Sequence, residues 1–163
     1  MTFGIDSAYI AVVGAGEGDP TAEAEAEIVG AELARRGAVV VCGGMTGVMA
    51  SACRGAKQHD GLTIGILPTS DRRLGNDHLD VAIATGMGEM RNALVVRSAD
   101  AVIAVGGEFG TLSEIAFALR IGKPVIGLGT WELSRRGRLS DAVRVASSPE
   151  KAVEMALVSV GQA

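Results

Sequence analysis

Val105-Gly106-Gly107-Glu108-Phe109-Gly110-Thr111-Leu112-Ser113-Glu114 joins an apolar, strand-like run, Asp100-Ala101-Val102-Ile103-Ala104-Val105, to a helix-like run over 115–120. A glycine-rich turn between a strand and a helix gathers backbone N–H groups and a helix N-terminus around an anion, usually a phosphate. This turn also carries a hydroxyl, Thr111, and a carboxylate, Glu114, so it offers chemistry as well as a cradle.

The same alternation continues on both sides. Residues 8–13 read as a first strand. Asp19 caps a helix with Pro20 at its first position, and Gly37 stops it. Residues 38–42 form a second apolar strand, and Gly43-Gly44 turns into a helix from Gly47 to His59, with Gly61 just past its end. Residues 62–67 give a third strand closed by Pro68. The polar stretch 69–80, with Arg72 and Arg73, reads as a surface loop. Then come a short strand over 81–84, a helix over 87–98, the strand over 100–105, a helix over 111–120 and a last strand over 124–128. Residues 130–144 read as mostly irregular, and Ser148 starts a C-terminal helix over 149–160.

Six buried strands alternating with helices predict an α/β fold: one domain over 1–163, a single Rossmann-like, doubly wound parallel sheet with helices on both faces. Three glycine turns follow the first strand (Gly14, Gly16, Gly18), the second (Gly43, Gly44, Gly47) and the fifth (Gly106, Gly107, Gly110). In such a sheet all three lie at the carboxyl ends of the strands, the edge at which ligands bind.

The chain's 163 residues are enough for one domain with a real core. The filling is alanine, valine, glycine and isoleucine, as expected where helices pack closely on a parallel sheet. A net charge of −4 without a long run of either sign argues against nucleic acid or an anionic membrane as partner. Cys42 and Cys53 form no Cys-x-x-Cys pair and read as buried thiols of a reducing compartment. His59 and His78 lack metal-ligand spacing, so neither a metal site nor a resident cofactor is expected. No basic segment leads into a long apolar run, and no run approaches the roughly 20 apolar residues of a membrane helix, so the expected location is cytoplasmic.

Three familiar chemistries are disfavoured. Gly14-Ala15-Gly16-Glu17-Gly18 places Asp19 where a dinucleotide fingerprint needs its third glycine, and the second strand ends without an acid to hold a ribose. No Gly-Lys-Ser/Thr occurs, which removes the P-loop. Pyridoxal phosphate requires a lysine Schiff base. Lys57, Lys123 and Lys151 all lie away from the glycine turns, so decarboxylation is not expected.

The remaining candidates each have a plain reading beside the functional one. Thr111-Leu112-Ser113-Glu114 fits a capping box, in which Glu114 reaches back to the Thr111 N–H. Alternatively, Glu114 projects toward the ligand edge to hold a sugar hydroxyl or polarise water. Arg91 borders the apolar stripe of its helix. Its stem packs on the core with the head in water, or the head pairs with a ligand or with Glu114. Thr46 and Gly47 open the second helix as anion donors or as an ordinary tight turn. Asn92 is either a ligand contact or a surface residue, and Arg72 and Arg73 read as solvated loop charges.

Together these residues resemble the Lonely Guy (LOG) superfamily, over roughly 10–128. Its glycine-rich Pro-Gly-Gly-x-Gly-Thr-x-x-Glu turn is matched by Gly107, Gly110, Thr111 and Glu114. Its upstream arginine helix is matched by Arg91, and its Gly-Gly-x-x-Gly-x-Met segment by Gly43, Gly44, Gly47 and Met49. The resemblance implies a Rossmann-like fold, a homodimer or higher homo-oligomer, and hydrolysis of the N-glycosidic bond of nucleoside 5′-monophosphates to free base and ribose 5-phosphate. Arg91 and Glu114 would then be the catalytic pair, with the glycine turns and Asn92 around the phosphate. The chain departs from the pattern in carrying Gly106 for the proline, Glu108 for the second glycine, and Asn92 where the family has lysine. The segments 62–68 and 86–93 are more similar to a sister branch that includes molybdenum cofactor carrier proteins. That branch implies the alternative of a non-catalytic carrier for a phosphorylated heterocycle.

Overall fold

The computed structural model describes residues 3–162. Seven strands form one sheet: β1 (Tyr9–Gly14), β2 (Val39–Cys42), β3 (Thr63–Leu67), β4 (Val81–Ala84), β5 (Ala101–Val105), β6 (Val125–Leu128) and β9 (Val143–Val145), in the order β4-β3-β2-β1-β5-β6-β9. Every pairing in it is parallel. A separate antiparallel hairpin joins β7 (Ser134–Arg135) to β8 (Arg138–Leu139). The helices are α1 (Pro20–Arg35), α2 (Val48–Lys57), α3 (Asn92–Arg97), α4 (Phe109–Arg120) and α5 (Pro149–Ser159).

Side chains of β1 point alternately to two cores, as the period of a strand requires. Ile10 and Val12 pack with α1, α2 and α5 residues such as Val29, Val48 and Val153. Ala11 and Val13 pack on the other face with Val95 of α3 and Ile115 of α4. Both faces are therefore covered, which explains why the central strands read as continuous apolar runs. The Asp19 carboxylate accepts from the Ala22 N–H, and the Ser148 hydroxyl accepts from the Lys151 N–H, so both expected caps form.

Strand order places the site. From β1 the chain winds outward through β2, β3 and β4, then returns to lay β5 on the other side of β1, with Gly14 in register with Val105. The crevice beyond β1 and β5 is thus the point at which winding reverses, and loops diverge there to leave room for a ligand.

Four local expectations are corrected. The helix expected over 87–98 is a 3-10 turn, Gly88–Arg91, followed by α3. Gly86 and Gly88 have φ of 64° and 57°, which a regular helix excludes. The strand β4 is an exposed sheet edge, not a buried strand. The stretch 130–144 holds the hairpin and the start of β9, whose three residues are too few to show a period. Past α2 the left-handed residue is Asp60, with φ of 54°, and not Gly61.

Candidate functional site

A cavity of about 360 Å³ opens at the carboxyl ends of β1 and β5. Gly14 and Gly16 supply one wall, Gly43 a second, and Gly110 and Thr111 a third. All three glycine turns therefore reach one rim. Arg91, Asn92 and Glu114 also line it. The volume lies within the usual range for small-molecule pockets, roughly 300–1,000 Å³.

The capping box does not form. The N-cap of α4 is Glu108, without a side-chain cap, and the helix starts at Phe109. Thr111 therefore sits inside the first turn, and Glu114 faces the cavity from one turn further along. The first N–H of this helix to find a backbone acceptor belongs to Leu112, which donates to the Glu108 carbonyl at 2.9 Å. The amides of Phe109, Gly110 and Thr111 precede it and sit at the positive end of the helix.

Arg91 is buried at the cavity wall, 8% exposed. Its Nη2 donates to the Gly43 carbonyl at 3.2 Å and its Nη1 to the Asn92 side-chain oxygen, while Nε has no partner. The head is thus held by two neighbours at the cavity wall, with one buried N–H left unbonded. Burial lowers the Arg91 pKa, and the Glu114 charge opposes that shift. Burial also drives the Glu114 carboxyl up to about 7, against the pull of Arg91. A carboxyl that titrates near neutrality at a cavity wall suits proton transfer, and it equally suits an anionic ligand that it need not repel.

Other expected site residues act from behind the rim. The Thr46 hydroxyl donates to the Gly16 carbonyl at 2.7 Å. Gly47 has φ of 64°, and a Cβ there would meet the Gly16 carbonyl oxygen at 2.3 Å. The second turn therefore buttresses the first through backbone contact. Thr46 lines a separate cavity with Asn76 and His78. Gly44 stands behind the rim, its N–H bonded to Cys42 Sγ at 3.3 Å. Gly106 and Gly107 line another cavity, on the far side of their turn.

Gly43 is needed for a different reason: a Cβ there would sit 2.5 Å from Arg91 Nη2 and 2.7 Å from Met49 Sδ. Glu17, Met49 and Glu108 also line the site and were not among the expected ligand contacts. In the sequence Met49 reads only as part of a glycine motif and Glu108 only as a departure within the glycine-rich turn, while the signal for Glu17 is its position between Gly16 and Gly18. Arg72 and Arg73 are exposed and lie elsewhere, Arg73 paired with Asp71 at 2.8 Å.

Behind Gly43 the thiols of Cys42 and Cys53 meet at 3.5 Å, both free and buried. The contact with Cys42, reinforced by burial, holds the Cys53 thiol far above the usual range. No helix of the described residues is long and apolar enough to cross a membrane.

A doubly wound α/β sheet with a glycine-rimmed, arginine-bearing cavity at its switch point defines a Rossmann-like fold. More particularly, the chain belongs to the SLOG cluster4 family, whose pattern matches residues 7–154. It is similar to a molybdenum cofactor binding protein of Rippkaea orientalis, at 39% identity and a TM-score of 0.86 over 96% of this chain and 99% of that one. The molybdenum cofactor carrier protein of Chlamydomonas reinhardtii is 30% identical, with a TM-score of 0.82 over 96% and 99% of the two chains. An uncharacterized protein of Archaeoglobus fulgidus is 43% identical over 150 residues, 92% of this chain and 95% of its own length. DNA processing protein A of Helicobacter pylori, described as binding single-stranded DNA, has a TM-score of 0.70 over 93% of this chain and 81% of its own, at 22% identity. That is a likeness of fold alone.

Proposed function

We propose that this chain binds and carries a phosphorylated heterocycle of the molybdenum-cofactor class without turning it over. The observation that carries this reading is the Arg91 guanidinium, fixed by the Gly43 carbonyl in a cavity rimmed by three glycine turns, in a chain 39% identical to a molybdenum cofactor binding protein. Backbone amides of the Gly14–Gly16 and Gly110–Thr111 segments and the Arg91 head would hold the phosphate. Glu17 and Glu108 make the rest of the wall acidic. They repel a dianion at close range, but they accept hydrogen bonds from the ring N–H and amino groups of a pterin. This balance favours a heterocycle with donor edges over a bare sugar phosphate. No resident cofactor is required; the ligand is cargo. Assembly as a homodimer or higher homo-oligomer fits the exposed Met87 and Met90 of the segment before α3, which are 46% and 76% exposed.

A second reading is favoured by Glu114, whose carboxyl is pushed up to about 7 beside Arg91. Such a group could position water or stabilise an oxocarbenium-like ribose in a nucleoside 5′-monophosphate phosphoribohydrolase, with Arg91 on the phosphate. A base-release assay over AMP, GMP, CMP and UMP separates the two. The carrier reading expects no release from any of them. Multiple turnovers that vanish in Glu114→Gln would establish the hydrolase instead.

A further inference from the structure

The far side of the Gly106–Gly110 turn has its own cavity, of about 400 Å³, lined among others by Asp19, Gly106, Thr130, Trp131 and Glu132. It shares the turn as a wall with the first cavity, because Glu108 and Gly110 line that one. Phe109, 77% exposed, lies in the chain between Glu108 and Gly110, which line the first cavity, and beside Trp131, which lines the second. Its ring lies 5.6 Å from the Trp131 ring, tilted by 36°. Trp131 is the only tryptophan of a chain that is 3% aromatic. It is anchored from both ends: its body packs on the core with Leu133, and its indole N–H donates to the Glu108 carbonyl at 3.2 Å. The Thr130 hydroxyl fixes the same turn by donating to the Gly106 carbonyl.

Several large apolar side chains of the described residues are exposed, but among them only Phe109 is paired with another aromatic ring. Held against an anchored indole, it presents a π surface on the turn that walls both cavities. Planar heterocycles bind proteins by stacking on such surfaces, with hydrogen-bond acceptors reading their edges. Asp19 and Glu132 line the cavity beside these rings and, with Glu108 on the shared turn, add further acceptors for the N–H and amino donors of a 2-amino-4-oxopyrimidine ring. We infer that Phe109 and Trp131 form the ring platform of the ligand site and select a pterin-like heterocycle over a sugar phosphate that lacks one. This inference rests on the phosphate-ligand reading above and adds the determinant of ring selectivity.

The test is calorimetric titration of the whole chain with 6-hydroxymethylpterin phosphate and with ribose 5-phosphate, for wild type, Phe109→Ala and Trp131→Phe. Wild type is expected to prefer the pterin phosphate by about tenfold or more, the usual worth of one stacked ring. Phe109→Ala is expected to erase that preference and leave ribose 5-phosphate affinity unchanged. Trp131→Phe, which keeps a ring but loses the bond to Glu108, should retain part of it. Equal wild-type affinities, or a preference that survives in Phe109→Ala, would overturn the platform while leaving the phosphate cradle standing. Binding of neither compound would overturn the cradle and the platform together. Gel filtration of the same variants covers the other use of an exposed ring. If Phe109→Ala dissociates an oligomer and keeps the ring preference, Phe109 is an interface residue and the platform is wrong.

Discussion

Arg91 and Glu114 face one cavity without touching: the guanidinium donates to the Gly43 carbonyl at 3.2 Å and not to the carboxylate, while each charge still shifts the titration of the other. A direct ion pair would neutralise both groups and close the site. Held apart, the cation stays available to an anionic ligand, and the carboxyl stays near its protonated form. In Arg91→Met the Gly43 carbonyl loses a charged donor and Glu114 the cation that pulls its titration down. The expected loss of stability is about 2 kcal/mol, with at least a tenfold loss of ribose 5-phosphate affinity. Carbon-detected NMR should find the Glu114 carboxyl titrating above its wild-type value of about 7. An unchanged titration would mean that Arg91 does not govern this site.

Glu114 makes stability depend on pH in a definite direction. Its carboxyl is raised from the ordinary 4.5 to about 7 by burial. Between those values the folded chain keeps a proton that the unfolded chain has released, so stability falls as pH rises through the window. The full effect is on the order of 3 kcal/mol. Urea denaturation of wild type and Glu114→Gln across pH 4 to 8 checks this. The variant should lack that part of the slope, and parallel curves would contradict the assignment. By the same linkage, affinity for an anionic ligand should fall as pH passes about 7 more steeply in wild type than in Glu114→Gln.

Gly43→Ala places a methyl group against the Arg91 head and Met49. The turn or the arginine must move, at an expected cost of about 1–3 kcal/mol. Because Gly43 also supplies the carbonyl that fixes Arg91, ligand affinity should fall by more than the stability loss explains. Calorimetric titration beside thermal denaturation separates the two effects. Wild-type affinity in a folded Gly43→Ala chain would show that the Arg91 position does not matter.

Cys42 and Cys53 are buried together, and Cys53 is held in its thiol form. A thiol-exchange reagent should react with the native chain far more slowly than with the urea-unfolded chain, since the thiolate is the reactive species and must be exposed. Equal rates would mean that the β2–α2 contact opens readily and that the Gly43 turn resting on it is not rigid.

Much of the fold was legible because a parallel sheet covered on both faces writes itself as short apolar runs, and because glycines punctuate them. The caps at Asp19 and Ser148 were readable from residue type alone. Where the reading missed, local signals were ambiguous or absent. Thr111 and Glu114 have capping-box spacing, but the helix begins two residues earlier, at Phe109, and so turns Glu114 to the cavity. The strand β9 earns its place by pairing with β6, a long-range partner no local pattern announces. Within the site, Gly14, Gly16, Gly43, Arg91, Asn92, Gly110, Thr111 and Glu114 meet at one rim as the switch-point geometry demands. Thr46 and Gly47 read from helix position as anion donors or as an ordinary tight turn. Their role as buttresses of Gly16 depends on the approach of two turns 30 residues apart, which sequence does not express.

Retention of cargo is the most direct measurement. The chain is mixed with molybdenum cofactor released from a molybdoenzyme, passed through gel filtration, and the protein fraction is assayed for intact cofactor. The expected result is co-elution of unaltered cofactor with wild type and its loss from Arg91→Met. A chain that emerges free of cofactor, yet releases base from a nucleoside 5′-monophosphate over many turnovers, would contradict the carrier function.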